Sequence, residues 1–364
     1  MRKNFFATWY GVTAIGLIIG ILAAFLQKMG NPGNMGICVA CMERDIAGAL
    51  GLHQVPIVQY MRPEIIGLSL GAFLSALFFK EFRPRSGSSP GIRFILGIFA
   101  MIGALVFLGC PWRACLRLAG GDWNAVTGFL GLFAGIFIGT RFLKNGYSLG
   151  KSQSTNNING YVWPAIMIIA FMLLLIFPQI DGEGKSGILF YSVKGPGSSH
   201  APIFISLLIA LFIGILAQRS RFCTMGALRD FILFRHGHLL YGLLALIAGA
   251  FIVNIILGQF KPGFTGQPVA HSSHLWNFLG MCLSGLAFSL AGGCPGRQLF
   301  LAGEGDGDAM VFVIGMFFGA AISHNFNIAS SPSGANIYGP VSTLIGIIFC
   351  LAVGFLTIRT QPKS

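Results

Sequence analysis

The chain has 364 residues, a mean hydropathy of +0.76 and only 10% charged residues, far below the share of about 25% in soluble domains. Its formal net charge of +13 is spread over short segments, without the basic helix or basic-aromatic array of a nucleic-acid-binding protein. The composition therefore predicts an all-α polytopic membrane protein, and the eight cysteines in so long and apolar a chain exclude a small disulfide scaffold.

Ten apolar runs are long enough to cross a hydrocarbon core of roughly 30 Å. Four short stretches, around Cys38, Cys110, Cys223 and Cys294, are too polar to span and too apolar for ordinary loops. The N-terminus continues directly into the first run, so we expect no cleavable signal peptide. The predicted spans cover residues 7–27, 64–80, 93–109, 123–143, 161–178, 202–218, 239–258, 275–292, 308–328 and 340–358.

The orientation follows from the Lys and Arg residues in short loops, which favour the cytoplasmic side. If Arg2 and Lys3 are cytoplasmic and the four cysteine stretches do not cross, most of the 24 basic residues lie inside. We therefore predict a multi-pass protein of the inner, cytoplasmic membrane. Both termini, including the tail with Arg359 and Lys363, are then cytoplasmic.

An internal repeat divides the chain into two halves of five spans each. An odd number of spans turns the second half upside down relative to the first. We expect a first membrane repeat in residues 1–178, an external connecting loop in 179–201 and an inverted second repeat in 202–364. The stretches that match, at an offset of roughly 180 residues, begin at Cys38 and Cys223, Gly71 and Gly249, Cys110 and Cys294, and Gly131 and Gly315.

Inverted repeats build many transporters, with the pathway at the repeat interface and broken helices along it. By this symmetry, the Cys38 and Cys110 stretches enter from outside, and the Cys223 and Cys294 stretches enter from the cytoplasm. Non-helical backbone at membrane depth is tolerated only inside protein or along a wet cavity. The sequence therefore predicts short re-entrant helices that carry cysteines and line a central pathway.

The motif Cys-Pro-x-Arg combines a thiol with a positive charge. Proline suits the first turn of a helix because it lacks the N–H that would be unpaired there. Cys110 and Cys294 are thus expected at a helix N-terminus, which favours an anion. Arg113 and Arg297, three residues later, add a full charge on the same face. A polarizable sulfur beside a cation suits a soft anion that contains sulfur or selenium.

The motif Cys-x5-Arg-Asp places a carboxylate near the helical stripe of its cysteine. Asp45 and Asp230 are expected to position Arg44 and Arg229, or groups of the other stretch, because charges at this depth usually face a cavity or each other. The predicted pathway residues are Cys38, Cys41, Arg44, Asp45, Cys110, Arg113, Cys223, Arg229, Asp230, Cys294 and Arg297.

The remaining cysteines have no counterpart in the other half. Cys282 and Cys350 are expected to be packing residues, whereas structural and functional roles stay open for Cys41 and Cys115. The lone pair Cys38-x-x-Cys41 has no second pair or His cluster beside it, so we predict no metal site. The glycine-rich LAGEGDGDAM lacks the Lys-Ser/Thr of a P-loop, and we expect no catalytic residues and no cofactor.

The stretches MGICVACMERDIAGALGLH, FLGCPWRACLRLAGG, RSRFCTMGALRDFILFRHGH and LAGGCPGRQLFLAGEGD resemble the YeeE/YedE family of sulfur-transport membrane proteins, over nearly the whole chain. The N-terminal stretch is similar to a branch described as selenium transporters. The resemblance implies an hourglass-shaped, channel-like importer and a small cytoplasmic sulfur carrier of the TusA type as partner. It also implies that the anion is handed along by Cys38, Cys110, Cys223 and Cys294.

Import of a small selenium compound or thiosulfate, by a protein that is not an enzyme, is therefore the predicted function. Cys41 and Cys115 exceed the family pattern of one cysteine per stretch, which points to redox or selenium chemistry. One alternative is a membrane thiol-disulfide oxidoreductase that uses Cys38 with Cys41 and Cys110 with Cys115 on the outer side. The other is a transporter of a hard anion such as sulfate, in which the cysteines are incidental.

Overall fold

The structure is a computed structural model that describes residues 5–180 and 182–358. The predicted cytoplasmic charges Arg2, Lys3, Arg359 and Lys363 lie outside the described residues, so the location of the termini stays a prediction. Within the described ranges the chain is mostly helical and has almost no strand, as an all-α membrane protein should be. Ten long helices form: α1 (Trp9–Lys28), α3 (Pro63–Phe78), α4 (Pro90–Phe107), α6 (Asn124–Lys144), α7 (Asn157–Ile176), α8 (Ile203–Ser220), α10 (His238–Ile256), α11 (His274–Ala291), α13 (Gly307–Asn325) and α14 (Gly339–Leu356).

The four cysteine stretches form short helices between the long ones. Among the described residues, two small antiparallel sheets lie in segments that connect helices. A 3-10 turn at Phe5–Ala7 precedes α1. The short helices are α2 (Val39–Ala49), α5 (Pro111–Ala119), α9 (Thr224–Phe234) and α12 (Pro295–Gly303). The strands are β1 (Arg85–Ser86), paired with β2 (Gln153–Ser154), and β3 (Lys185–Ser186), paired with β4 (Leu189–Phe190).

Each predicted span coincides with one of the long helices. Nine segments of the described chain are long and apolar enough to cross a membrane. The tenth, α3, has 16 residues and is about 24 Å long, which is short of a hydrocarbon core of about 30 Å. Large apolar side chains of the peripheral helices α7 and α14 point outward, among them Ile169, Ile176, Ile348 and Leu356, as expected of a surface that faces lipid.

Long helices of one half pack along long helices of the other. The helix α1 lies along α10, α3 along α8, α6 along α11 and α4 along α13. In the repeat, α1, α3, α4 and α6 correspond to α8, α10, α11 and α13. The contacts α1–α10 and α3–α8 are therefore equivalent, and so are the contacts α6–α11 and α4–α13. The peripheral helices depart from this symmetry, because α7 packs on α3 while α14 packs on α11 and α4.

The direction of α8 agrees with the predicted inversion of the second half. Asn31, just after α1, donates to Glu64 at the start of α3 (2.7 Å), so these helices are antiparallel. In contrast, α8 is parallel to α3: Arg62 bonds to the Ser199 carbonyl before α8 (3.0 Å), and Ser75 bonds to Gln218 near its end (2.7 Å). It follows that α8 is antiparallel to α1, its counterpart in the repeat.

The helical array has two ends, which we call the basic face and the opposite face. The basic face carries the ends of α3 and α8 and the following residues Arg83, Arg85, Arg219 and Arg221. The opposite face carries the long connection between α7 and α8. Cys38 and Cys110 belong to stretches that enter from the opposite face, because α1 and α4 both run towards it. Cys223 follows α8 and lies at the basic face.

Candidate functional site

A cysteine occupies the N-cap position of each short helix: Cys38 for α2, Cys110 for α5, Cys223 for α9 and Cys294 for α12. The thiols of Cys38 and Cys223 accept hydrogen bonds from backbone N–H groups three residues later, at 3.3 and 3.2 Å. At α5 and α12 the next residue is proline, which has no N–H to satisfy. The prediction that Cys-Pro begins a helix is confirmed in both halves.

The four capping cysteines form two close pairs. Cys38 Sγ lies 3.7 Å from Cys110 Sγ, and Cys223 Sγ lies 3.7 Å from Cys294 Sγ. We name these the first and the second thiol pair. Each pair joins the two cysteine stretches of one half of the chain, and all four thiols are free. Of these four cysteines, Cys223 is the most exposed to solvent, with 7% of its surface accessible.

Arg113 is completely buried and is held by backbone carbonyl groups. Its guanidinium donates to the carbonyl oxygens of Asn34 (3.2 Å), Leu108, Pro268 (3.1 Å) and Val269 (3.2 Å). It also lies 3.8 Å from the thiol of Cys41. Arg113 therefore contacts a soft sulfur, as expected. This sulfur belongs to Cys41, which has no counterpart in the other half.

Arg297, the counterpart of Arg113, has a more open environment. It pairs with Glu304 at 3.0 Å, and its side chain lies beside a solvent-filled space at the basic face. The two arginines of the repeated motif thus differ: one is buried and anchored to backbone carbonyls, and the other is ion-paired and lines a cavity.

In the first half, the predicted Arg44–Asp45 pair is confirmed and extended. Arg44 donates to Asp45 Oδ1 at 2.6 Å. Asp45 Oδ2 accepts from Arg62 Nε at 2.8 Å, and all three side chains are buried. Arg62 was missed at the sequence level because it lies outside the repeated motifs and, at the offset of the Gly71–Gly249 match, its counterpart is the uncharged Leu240. Its other N–H groups bond to the carbonyls of Pro196 and Ser199, so the network ties α2 to the connection before α8.

In the second half, Arg229 and Asp230 form the equivalent ion pair at 2.8 Å, but in contact with solvent. Their side chains are 33% and 23% exposed. The same motif therefore builds a sealed network in one half and part of an open wall in the other.

A cavity of about 510 Å³ leads from the basic face to the second thiol pair. We name it the vestibule. Cys223 lies on its wall, together with four arginines and two carboxylates. A third carboxylate, Glu304, pairs with Arg297, so among these side chains the vestibule has one more positive than negative charge. Its charged lining residues are Glu81, Arg219, Arg221, Arg229, Asp230 and Arg297. Arg221 and Arg297 also line an adjoining cavity of about 190 Å³.

Glu81 holds one of these arginines in place. Its carboxylate accepts from Arg219 and from Gln218, both at 2.8 Å. Partial burial disfavours the ionised form, but the hydrogen bond from Gln218 and the charge of Arg219 outweigh it and lower the pKa of Glu81. The glutamate is therefore ionised near neutral pH and compensates one arginine of the four.

The unrepeated cysteines are all buried. Cys41 lies beside the first thiol pair, next to Arg113. Cys115 is on α5 and Cys350 on α14, and Cys282 is on α11, where its backbone lies against Gly135 of α6. In the parts of the chain that the structure describes, no three His, Cys, Asp or Glu side chains are grouped to hold a metal ion.

Comparison with known proteins relates this arrangement to sulfur transport. The family model for sulphur transport matches residues 219–360. A thiosulfate transporter TsuA from Spirochaeta thermophila is 31% identical over 103 residues, which cover 28% of this chain and 31% of the relative. A thiosulfate transporter TsuA from Escherichia coli K12 is 28% identical over 103 residues, 28% of this chain and 29% of the relative.

The alignment spans less than a third of the length of either relative. The family match, however, contains the whole second thiol pair and all four arginines of the vestibule. Residues 219–360 are therefore similar to the sulphur-transport family, in agreement with the resemblance to YeeE/YedE proteins seen in the sequence.

Proposed function

We propose that the protein carries a small anion containing sulfur or selenium, such as thiosulfate or a selenium oxyanion, across a membrane. The observation that carries the proposal is the arrangement of the two thiol pairs, each with sulfur atoms 3.7 Å apart and each at the ends of two short helices. One pair is reached from a vestibule with an excess of arginine. The family match and the names of the two relatives support the same class of substrate.

The chemistry of the site suits passage rather than tight binding. Four arginines attract an anion into the vestibule and raise its local concentration. A thiol is a polarizable, weak hydrogen-bond donor, so it holds an anion less firmly than a guanidinium does. Conduction requires contacts strong enough for entry and weak enough for release. A succession of arginine and thiol groups meets both requirements.

The direction and the membrane belong to the same proposal. The arginine-rich basic face is assigned to the cytoplasm, by the preference of short basic loops for that side. The protein then lies in the inner membrane with both termini in the cytoplasm, and the substrate is imported through the first thiol pair and released through the second. The vestibule is the place where a small TusA-like carrier would receive sulfur or selenium.

A selenium compound is the finer form of the substrate assignment. The first half has an additional thiol, Cys41, beside Arg113, where the second half has Gly226. An extra soft donor next to a buried guanidinium favours a large, polarizable anion. Thiosulfate remains the alternative named by the relatives.

Uptake measurements test the proposal directly. A deletion strain with the gene restored is offered labelled selenite, selenate, thiosulfate and sulfate separately. With serine at both Cys110 and Cys294, we expect uptake of the preferred anion to fall by about tenfold or more, since each site loses its soft donor. The matched control is Cys350→Ser, at a buried thiol of α14 that is not at either thiol pair. Undiminished uptake by the double variant would refute the pathway.

A thiol-disulfide oxidoreductase is the second candidate, and one observation favours it. The sulfur atoms of each thiol pair are 3.7 Å apart, within a small displacement of a disulfide bond of about 2.05 Å. In the first half, the disulfide would join Cys38 to Cys110. The sequence had instead suggested Cys38 with Cys41 and Cys110 with Cys115. Thiol trapping with and without reductant separates the candidates, because permanently reduced cysteines exclude a redox cycle. Competition by sulfate, without competition by thiosulfate or selenite, would instead favour a hard-anion transporter.

A further inference from the structure

Trp112 lies between the two thiol pairs. It belongs to the first turn of α5, two residues after Cys110, and only 2% of its surface is exposed. Its ring meets Phe222, next to Cys223, edge-on with centroids 5.7 Å apart. A second ring, Phe300 of α12, is 6.0 Å away. A side chain of the first half thus reaches the cysteine helices of the second half.

The repeat has no second tryptophan at this place. The counterpart of Trp112 in Cys-Pro-x-Arg is Gly296, and a Cβ atom there would lie 3.5 Å from the indole ring. A methyl group would just touch the ring, and a larger side chain that pointed the same way would overlap it. One half therefore supplies the bulk that fills the centre, and the other half supplies the space for it.

The indole N–H has no hydrogen-bond partner, although it is buried. Buried Trp N–H groups usually find an acceptor, because an unpaired donor away from water is costly. The other buried tryptophan of the helical core, Trp163, follows that rule and donates to Ser69 at 3.2 Å. Thr224, the residue after Cys223, also has a buried hydroxyl without a partner. The region between the thiol pairs thus holds two buried polar groups that have no hydrogen-bond partner among the described residues.

We propose that Trp112 is the gate between the two thiol pairs, and that its unpaired N–H is the donor that an anion meets as it crosses. The inference rests on the proposed pathway through the thiol pairs. The ring closes the passage at rest and must move aside, against Phe222 and Phe300, to let an anion pass. An uncharged donor suits this position, because it compensates the anion without retaining it as an arginine would.

The closing function of the ring is tested by accessibility, without any transport substrate. Vesicles with the basic face outward are treated with a negatively charged methanethiosulfonate reagent, and labelled cysteines are mapped by mass spectrometry. In the unaltered protein we expect Cys223 to react and Cys110 to be protected. In Trp112→Gly, a residue that the second half already accommodates at this place, Cys110 should react about tenfold faster or more. Trp163→Gly is the control of equal volume and should leave Cys110 protected.

Labelling of Cys223 at the normal rate reports that the Trp112→Gly protein is folded. If Cys223 reacts normally while Cys110 stays protected in this variant, the gate is refuted. Should Trp112→Gly fail to fold, Trp112→Leu replaces it, with the same expectation and the same refutation.

The role of the N–H is tested separately with Trp112→Phe, which keeps a ring and removes the donor. We expect Cys110 to stay protected, whereas uptake of the preferred chalcogen anion falls by about tenfold, as for the loss of one hydrogen bond to a charge. Trp163→Phe is the control and should transport normally. Normal uptake by Trp112→Phe would overturn the role of the N–H. If the unaltered protein takes up no chalcogen anion, the proposed function fails, but the labelling experiment still decides the gate.

Discussion

At the scale of single residues, the two copies of Cys-x5-Arg-Asp illustrate how burial changes the role of identical side chains. Asp45 accepts hydrogen bonds from two arginines, and all three groups are sealed from solvent. Asp230 has one arginine partner and faces the vestibule. A buried ion network is expensive to break because the remaining charges lose their compensation, whereas a solvated pair contributes little.

Replacement of Asp45 by Asn should therefore destabilise the protein strongly. Two buried guanidinium groups, of Arg44 and Arg62, would lose their counter-charge, and we expect a loss of about 3–5 kcal/mol in the free energy of unfolding. Asp230→Asn is the matched control at the equivalent position, with an expected loss of about 1 kcal/mol or less. Thermal or denaturant unfolding in detergent micelles measures both. Equal losses would contradict the difference in burial.

Glu81 should make stability depend on pH. Its folded-state pKa is lowered, so its ion pair with Arg219 stabilises the protein above the unfolded-state pKa of about 4.3 and this contribution is lost as the pH falls through the folded-state pKa. Because the side chain is 35% exposed, the contribution is about 1 kcal/mol or less. We expect Glu81→Gln to be less stable than the unaltered protein at pH 7, with a difference that shrinks in acid. Unfolding midpoints across this pH range test it, and a difference that grew in acid would have the wrong sign.

At the scale of elements, the long helices are held together by close approach at glycines. A Cβ atom on Gly135 of α6 would lie 2.1 Å from the carbonyl oxygen of Cys282 in α11. On the symmetric interface, a Cβ atom on Gly315 of α13 would lie 2.2 Å from the carbonyl oxygen of Phe94 in α4. These glycines thus pack helices within the chain, where small residues let two backbones approach.

Alanine at either glycine should separate the packed helices. We expect Gly135→Ala and Gly315→Ala to destabilise the protein by about 1–3 kcal/mol each, because backbone atoms must move. Gly91→Ala is the control: it also lies in a long helix, α4, and nothing is within 4 Å of its added Cβ. That variant should be as stable as the unaltered protein or slightly more stable. A large loss with Gly91→Ala, or none with the other two, would argue against this packing.

The short helices were predictable because their start signals are local. Cys-Pro at positions 110 and 111, and again at 294 and 295, marks a helix start through the missing N–H of proline. The long helices were predictable because a hydropathy sum over about 20 residues is insensitive to detail. The C-terminal end of α3 was harder to predict, since the apolar side chain of Phe79 continues the apolar run directly after the helix Pro63–Phe78.

At the scale of the whole molecule, the two halves differ in how far their thiol pairs are open to solvent. The first thiol pair is sealed, with exposures of 0% and 1%, whereas the second opens to the arginine-lined vestibule. The vestibule places positive charge at the basic face, which is the exit side in the proposed import and is reached by anions from that side. Anions should therefore be collected there by long-range attraction, which salt screens over about 8–10 Å.

Removing one vestibule charge should weaken anion capture. We expect Arg221→Gln to raise the KM of the preferred anion several-fold with a smaller change in the maximal rate, and to reduce the dependence of transport on ionic strength. Arg141→Gln is the control, because Arg141 lies at the last turn of α6, beside Phe137 and outside the vestibule. Flux measured from the basic face in oriented vesicles, at low and at high salt, distinguishes them. An equal effect of both changes would indicate a general surface-charge effect.

The sequence by itself determined the helices, the cysteines at their ends and the repeat, because hydropathy, proline chemistry and internal similarity are read from neighbouring residues or by simple alignment. It also placed arginines beside the cysteine motifs. Only the tertiary structure decided that Cys38 meets Cys110, that Arg62 joins Asp45, and that Trp112 lies over Gly296. Each of these contacts joins segments distant along the chain, and their geometry depends on how the helices pack, which no local pattern encodes.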